Sequence, residues 1–482
     1  MKQLYKNISF TSLHQFIVTG LAFILVPVAT RYLGLENFGI YTLATTIGFF
    51  VTLLADLGIS TILTREISKR PKLASKIFSR VLSTKLVLTL LAIVLLLIAL
   101  KVLNYPPKHV HVILVFSMSA VLGSFSLAAF GVFRGLEQMQ YEAIGVSFDK
   151  MISVFVGIAV LVLGFGLQEF IWSFVVSSTF LFIYSFTILY KNFLTFELKW
   201  HARQSAIILK ISIFLGVSAF LSMAYNYLDI LMLSKMVSDK DIGYYGAAYR
   251  VLAVTRIFPT ILVTAFLPQL SAHHKDKKQL SAFFTEGVGY LFLIIFPLVP
   301  AVVVLAEPIM YFICGADFMT GGDAALGANA LRILAFAVAA QILNIFFVPL
   351  YVATNNQKKI VHFQIVGLVV NIGLNLVLIP VLSIVGAAIA TVATEMCIFL
   401  LIFYWMRKRL GVQLLPPLVY GFKVLGATLV MVGFIFFALW LNFHIVLIVA
   451  GGLAVYILTL EITNTLRISR MAKALIAYKT SA

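Results

Sequence analysis

Residues 81–103 read VLSTKLVLTLLAIVLLLIALKVL, and the 18 residues before them read LTREISKRPKLASKIFSR. The first stretch is apolar and long enough for a helix that crosses a membrane, which takes about 20 residues. The second stretch carries six Lys or Arg residues and forms a basic gap between two apolar stretches. We count Lys85 with this basic gap. An apolar span that follows a basic gap predicts a membrane helix that begins on the cytoplasmic side.

The same alternation continues along the chain and predicts an all-α, polytopic membrane protein with about 14 transmembrane helices. The predicted spans are 8–30, 38–62, 81–103, 110–132, 143–165, 169–190, 207–234, 243–272, 280–304, 325–348, 360–380, 384–405, 418–441 and 445–463. Most Lys and Arg residues fall in every second gap, and the opposite gaps hold Arg31, Lys101, Lys108, Lys235 and Lys240. This asymmetry predicts a protein of the cytoplasmic membrane with both termini in the cytoplasm.

Composition agrees with a membrane protein and argues against other classes. Hydrophobic residues make up 62% of the chain and charged residues 11%, whereas soluble domains carry about 25% charged residues. The net charge of +18 is spread by topology and does not form one patch, so we expect no nucleic acid partner. A basic cytoplasmic face matches anionic lipid headgroups instead.

Motifs for metal and nucleotide chemistry are missing from the sequence. It has no Gly-Lys-Ser/Thr phosphate loop and no histidine pair with metal-ligand spacing. We therefore expect no metal site, no cofactor and no built-in ATPase, and any energy for transport must come from a gradient or the membrane potential. The two cysteines, Cys314 and Cys397, exclude a disulfide scaffold.

The chain also contains an internal repeat. Thr30–Ala44 aligns with Ser234–Ala248 at a constant offset of 204 residues, and the copies include Phe38-Gly-Ile-Tyr41 and Ile242-Gly-Tyr-Tyr245. Six predicted spans separate the copies, so both halves have the same orientation. This predicts two six-helix bundles related by an axis along the membrane normal, with the substrate site between them. The predicted domains are the bundles 1–190 and 207–405, two extra helices in 418–463 and a cytoplasmic tail, 464–482.

Several motifs resemble polysaccharide flippases of the multidrug/oligosaccharidyl-lipid/polysaccharide exporter superfamily over about 1–410. They are Arg31-Tyr-Leu-Gly-x-x-x-Phe-Gly-x-Tyr41, Asp56-Leu-Gly-Ile59, Asn226-x-x-Asp229, Ile242-Gly-Tyr-Tyr-x-Ala-Ala-Tyr-Arg250, Leu267-Pro-x-Leu-Ser271 and Gly386-Ala-Ala-Ile-Ala-Thr391. The resemblance implies two bundles in a V around a central cavity and the movement of lipid-linked oligosaccharides across the membrane.

Residues 244–271 also resemble lipid II flippases, which carry further arginines in the first helix. The aligned positions here hold Thr19 and Leu25, so the O-antigen and exopolysaccharide branch is favoured. The resemblance implies a polyprenyl-linked oligosaccharide as substrate, membrane lipids as surroundings, H⁺ or Na⁺ as coupling ion, and glycan-assembly proteins as partners. The alternative is a cation-coupled multidrug or metabolite antiporter of the same superfamily. A membrane-bound polymerase or ligase would need a large outer loop, which this chain lacks.

Cations inside predicted spans are the candidates for binding a lipid phosphate, since charges in a membrane are costly and usually functional. Arg250, Arg256 and Arg332 lie within spans, and Arg31 lies at the outer turn of the repeat. Arg250 could instead pair with Asp229 or extend to the outer interface. Arg31 and Arg332 could serve only as interface anchors.

The intramembrane acids, together with Lys150 next to one of them, form a second group of candidates. Asp149 and Lys150, in the fifth span, could bind the headgroup or couple an ion, or could pair with neighbouring helices. Asp229 and Glu395 are the candidates for ion coupling, because a buried carboxyl can carry a proton or bind a cation. A structural hydrogen bond is the alternative for both. For Asp56 we expect a structural role, as a partner of Arg65 or as a helix cap.

Overall fold

The computed structural model consists of α-helices and short turns throughout the residues that it describes, which are 2–194, 202–256, 263, 277–315, 324–353, 356–410 and 418–465. These ranges hold α1 (Lys2–Asp56), α2 (Ile59–Lys69), α3 (Ala74–Val102), α4 (Pro107–Gly135), α5 (Met139–Val162), α6 (Leu167–Asn192), α7 (Ala202–Met236), α8 (Asp239–Ala253), α9 (Lys277–Cys314), α10 (Ala324–Ala353), α11 (Gln357–Leu410), α12 (Leu418–Trp440) and α13 (Ile445–Ile462). Short 3₁₀ helices at Pro71–Leu73 and Val254–Arg256 join α2 to α3 and extend α8.

Eleven helical segments of the described residues are long and apolar enough to cross a membrane. The segments in α1 and α11 are the longest, with 40 and 51 residues, because each contains two of the predicted spans. Half of the predicted span 243–272 lies outside the described residues. The all-α membrane fold is therefore confirmed, whereas the count of 14 spans stays a prediction.

Both long helices contain a backbone break at the predicted turn between two spans. In α1 the break is Gly34, with φ 73° and ψ 163°. Glycine adopts a positive φ without the steric cost of a Cβ, which suits it to this position. In α11 the break is Ser383, with φ 51° and ψ −134°. The hydropathy gaps therefore marked real interruptions of the helices.

Internal contacts divide the chain into two compact units. The first consists of 1–254, 313–320 and 375–384, and the second consists of 255–312, 321–374 and 385–482. Helices α7 and α8 thus pack with α1 to α6 in the first unit. The six-helix bundles 1–190 and 207–405 stay a prediction.

The core of the first unit lies where α2, α3, α4 and α6 meet. Phe78, Phe133 and Leu189 are fully buried there. The short helix α2 is amphipathic: Ile59, Leu63 and Ile67 recur every four residues and enter this core. Such spacing places apolar side chains on one face, so the basic residues of α2 stay outside.

The two copies of the internal repeat pack against each other in the first unit, through α1 and α8. A Cβ built on Gly39 would lie 1.8 Å from the carbonyl oxygen of Asp239. Reciprocally, a Cβ on Gly243 would lie 2.2 Å from the carbonyl oxygen of Leu35. Small residues let membrane helices approach this closely. The glycines of the repeat therefore make this crossing, which we call the repeat crossing, sterically feasible.

In the second unit, α12 and α13 pack with each other and against α9. Val424, Met431 and Ile448 are buried in a cluster with residues of α9. The hydroxyl of Tyr456 donates to the carbonyl oxygen of Leu293 at 2.8 Å. The two C-terminal helices are thus anchored to this unit by apolar packing and by a hydrogen bond.

Candidate functional site

Arg250, on α8, lies against two neighbouring aromatic rings of α1. Its guanidinium carbon is 4.8 Å from the ring centre of Phe38 and 4.5 Å from that of Tyr41. Its Nη2 donates to Thr45 Oγ1 at 3.2 Å. Arginine stacks on aromatic faces and keeps its charge, and a cation so close to two rings is attracted to both. The repeat crossing therefore holds this cation in place, in what we call the Arg250 clamp.

The clamp leaves hydrogen-bonding capacity on Arg250. Its Nη1 is buried and has no hydrogen-bond partner among the described residues. No carboxylate of those residues forms an ion pair with it either, so Asp229 is not its partner in the described part of the chain. Buried donors normally find an acceptor. A phosphate or other oxyanion would satisfy this nitrogen through a charge-assisted hydrogen bond.

Asp149 and Lys150 line a cavity of about 190 Å³ inside the first unit. Residues from α1, α4, α5 and α6 surround it, and five of them carry hydroxyl groups: Thr52, Ser119, Ser153, Ser177 and Ser178. Asp149 is hydrogen-bonded to Ser177. Lys150 is close enough to Asp149 and to Arg250 for their charges to interact. The structure thus places Asp149 and Lys150 at one cavity, within electrostatic range of Arg250.

The two predicted ion-coupling acids are buried and hydrogen-bonded. Asp229, in the first unit, is 4% exposed and accepts from Tyr245 at 3.0 Å and from Asn375 at 2.7 Å. Glu395, in the second unit, is 2% exposed and accepts from Asn344 at 2.8 Å. Both acids therefore accept hydrogen bonds from neutral side-chain donors among the described residues.

The other predicted arginines lie elsewhere. Arg332 belongs to the second unit, where it forms an ion pair with Glu307 at 2.7 Å and also donates to Asn329 and Val303. Arg31 is exposed and packs along Gly315. The side chain of Arg256 lies outside what the structure describes. The positions of Arg31 and Arg332 fit interface anchors better than parts of the Arg250 clamp.

Sequence reasoning missed a buried ion pair. Lys85, which we counted with a basic gap, is fully buried, and its Nζ lies 2.6 Å from Asp56 Oδ1. Asp56 also accepts from Ser60, whereas Arg65 pairs with Glu66 at 3.0 Å. Of the two roles expected for Asp56, the pair with Arg65 is wrong, because α2 directs Arg65 outward. The cap is present, since the backbone N–H of Ser60, in the first turn of α2, donates to Asp56 Oδ2 at 3.4 Å. A lysine five residues inside an apolar run was the signal for this pair.

The chain belongs to the polysaccharide biosynthesis protein family, whose model matches residues 4–274. A probable low-salt glycan biosynthesis flippase of Haloferax volcanii, Agl15, is 24% identical over 169 residues, 35% of this chain and 34% of that protein. A probable flippase of the same organism, AglR, is 26% identical over 203 residues, 40% of each chain. The matched part thus spans well under half of either relative.

Solved structures agree in fold. The lipid II flippase MurJ, in an inward closed conformation, matches with a TM-score of 0.75 at 16% identity, over 95% of this chain and 98% of that one. An inward-facing multidrug resistance MATE transporter matches with a TM-score of 0.66 at 16% identity, over 84% and 98%. Together with the family, these likenesses confirm the resemblance to a polysaccharide flippase of this superfamily. The protein is a multi-pass membrane protein.

Proposed function

We propose that this protein moves polyprenyl-linked oligosaccharides across the cytoplasmic membrane by alternating access, for the assembly of a surface polysaccharide. The substrate has an apolar tail, a phosphate or pyrophosphate and a large polar head. The hydrocarbon core of the membrane hinders the passage of only the charged and polar parts of this substrate, since burying them without hydrogen-bond partners is costly. The protein therefore has to supply a cation and a polar path, while the tail stays in lipid.

The Arg250 clamp is the observation that carries the proposal. It holds one guanidinium against the rings of Phe38 and Tyr41 and leaves Nη1 without a partner among the described residues. A planar guanidinium matches two phosphate oxygens better than a point charge does. Lys150 adds a second cation within electrostatic range of Arg250. We infer that Arg250 binds the lipid phosphate and that the hydroxyl-rich cavity around Lys150 contributes polar contacts for the head.

The experiment measures flipping by the purified full chain in lipid vesicles. The probe is a polyprenyl-pyrophosphate oligosaccharide with a fluorophore on the sugar, and an impermeant quencher in the outer solution reports the labelled heads that reach it. Arg250→Ala should lower the rate roughly tenfold or more, as expected for the loss of a charge-assisted hydrogen bond. The flipping rate of Arg250→Lys should lie between those of the unmodified protein and of Arg250→Ala, because lysine keeps the charge but lacks the planar guanidinium.

Arg65→Gln is the matched control, since it removes an exposed cation whose ion-pair partner in the described part of the chain is its neighbour Glu66. It should leave the rate unchanged. An Arg250→Ala protein that is reconstituted in equal amount and flips at the full rate would rule out Arg250 as the phosphate ligand.

For Asp229 and Glu395 we propose a role in coupling transport to an inward flow of H⁺ or Na⁺. Asp229 is the stronger candidate, because two donors from different helices, Tyr245 and Asn375, converge on one buried carboxylate. With an imposed gradient of Na⁺ or H⁺, flipping by unmodified protein should accelerate, and Asp229→Asn should flip at the rate seen without a gradient. If Asp229→Asn still responds fully, Asp229 is structural. Gradient-driven efflux of a cationic dye, with no effect of the lipid-linked probe, would favour the antiporter instead.

A further inference from the structure

An apolar groove of about 230 Å³ lies on the first unit, away from the Arg250 clamp. It is lined by four residues of α1, five of α3, and by Leu103, Tyr105 and Leu231. Of the α3 residues, Leu95 and Ala99 are exposed, so the groove is open along its side. Its wall is almost entirely hydrocarbon, which suits an alkyl or isoprenoid chain and excludes a sugar.

The length of the groove matches one leaflet of a membrane. Along α3 it runs from Ala92 to Leu103, which corresponds to about 16 Å at 1.5 Å per residue. This is about half of the roughly 30 Å hydrocarbon core of a bilayer. Leu103 follows the end of α3 that the charge pattern assigns to the outer side. A chain in this groove therefore belongs to a lipid of the outer leaflet.

A cation stands at the outer mouth of the groove. The ammonium of Lys235 lies 3.4 Å from the ring centre of Tyr105 and donates to the carbonyl oxygen of Leu103, so it touches two of the lining residues. The hydroxyl of Tyr105 is bonded to Ser234 at 2.7 Å, which fixes the ring. An ammonium has three donors, and one of them is used here. Lys235 is thus held where a lipid phosphate would lie.

The charge balance at this end of the unit favours an anion. Lys101 is exposed in the last turn of α3. The nearby acids already have partners: Glu36 pairs with Lys108 at 4.0 Å, and Asp239 pairs with His109 at 2.9 Å. Neither Lys101 nor Lys235 has an ion-pair partner within the described ranges. These lysines would repel the positive ammonium group of a zwitterionic headgroup.

We propose that the groove binds one chain of an anionic phospholipid of the outer leaflet, with its phosphate on Lys235. Acyl or isoprenoid chains fit equally, since the groove recognises hydrocarbon and the lysines recognise the headgroup charge. The site is separate from the proposed transport path.

The test is native mass spectrometry of the full chain in detergent, titrated with phosphatidylglycerol and with phosphatidylcholine of the same chains. The unmodified protein should retain phosphatidylglycerol in preference. Lys235→Gln should weaken phosphatidylglycerol binding roughly tenfold and leave phosphatidylcholine unchanged. Ala99→Trp should weaken both, because the indole fills the groove.

Two matched variants serve as controls. Lys191→Gln removes an exposed cation at the end of α6, and Ile98→Trp adds an indole on the neighbouring position of α3, which does not line the groove. Both should bind like the unmodified protein. If Ala99→Trp does not fold, Leu95→Trp replaces it.

Equal retention of the two phospholipids, or unchanged binding in Lys235→Gln, would overturn the proposal. Preferential retention of polyprenyl phosphate, abolished by the same two substitutions, would also overturn it, because the occupant would then be the transported lipid. Neither result depends on whether the protein flips oligosaccharides.

Discussion

At the residue scale, the buried ammonium of Lys85 beside Asp56 places a charge where water cannot reach it. Its side chain is completely buried, whereas that of Asp56 is 13% exposed. Removing an ion from water costs several kcal/mol, and a partner with good geometry offsets much of this cost. The pair joins the end of α1 to α3, directly before the turn into α2.

Lys85→Met should lower the free energy of unfolding by about 3–5 kcal/mol, because it leaves the Asp56 carboxylate without its cation. The double variant Lys85→Met/Asp56→Asn should recover most of this loss, since no charge is then left unpaired. The measurement is the thermal midpoint of each purified protein in detergent. Arg65→Gln, an exposed neighbour, should shift it little; a loss of equal size there would show that charge in this region, not burial, sets the effect.

The sequence identified Arg250 as important but not what surrounds it. An arginine within an apolar stretch is conspicuous by itself, since charges in membranes are rare. Its neighbours Phe38, Tyr41 and Thr45 are more than 200 residues away along the chain and have no unusual spacing. Lys85 was missed for the opposite reason: several cations precede it closely, so it looked like part of the loop.

At the element scale, the repeat crossing depends on the absence of side chains at Gly39 and Gly243. Gly39→Ala should separate α1 from α8, because the added methyl group would lie 1.8 Å from a backbone oxygen that cannot rotate away. Thr42 is 2% exposed and lies beside Gly246 of α8. A cysteine at position 42 therefore becomes accessible to a reagent when the two helices separate. In a chain without its natural cysteines, Thr42→Cys should react several-fold faster with a hydrophilic maleimide when Gly39→Ala is present.

Gly123→Ala is the control for this experiment, as a Cβ on Gly123 meets nothing within 4 Å. It should leave the reaction of Thr42→Cys unchanged. Equal rates in the Gly39→Ala and Gly123→Ala backgrounds would mean that the repeat crossing tolerates the methyl group. The glycine at position 39 would then have no steric function there.

Hydropathy predicted the long helices but not α2. Spans are uniformly apolar, so a window average finds them, and the turns at Gly34 and Ser383 appear as interruptions. α2 is short and basic, and only the four-residue spacing of Ile59, Leu63 and Ile67 reveals its apolar face. A search for amphipathic helices in the basic gaps would have found it.

At the scale of the whole molecule, the distribution of Lys and Arg predicts which side each turn faces. Lys108 and Phe443 should face the outside, and Gln138 and Arg409 should face the cytoplasm. Single cysteines at these positions, in a chain in which Cys314 and Cys397 are replaced, can be labelled in intact cells with an impermeant maleimide. The first two should react at once, and the last two only after the membrane is opened.

Labelling of Gln138→Cys from outside would show that the first unit has the opposite orientation in the membrane, which would contradict the positive-inside assignment. Labelling of Arg409→Cys alone would instead indicate an odd number of spans between the two positions. The labelling thus checks directly that the number of spans between these positions is even, as the predicted count of 14 requires, although half of the span 243–272 lies outside the described residues.

The repeat crossing also bears on how such a chain could arise. Leu35 and Asp239 occupy equivalent positions, as do Gly39 and Gly243, at the offset of 204 residues, and each glycine meets the carbonyl of the other copy. This exchange of like for like is what two identical subunits make across a two-fold axis. A gene of half the length would already have encoded both faces of the contact. Duplication and fusion would then have needed no new surface here, only a linker, after which the copies were free to diverge into one that carries Arg250 and one that carries Thr46.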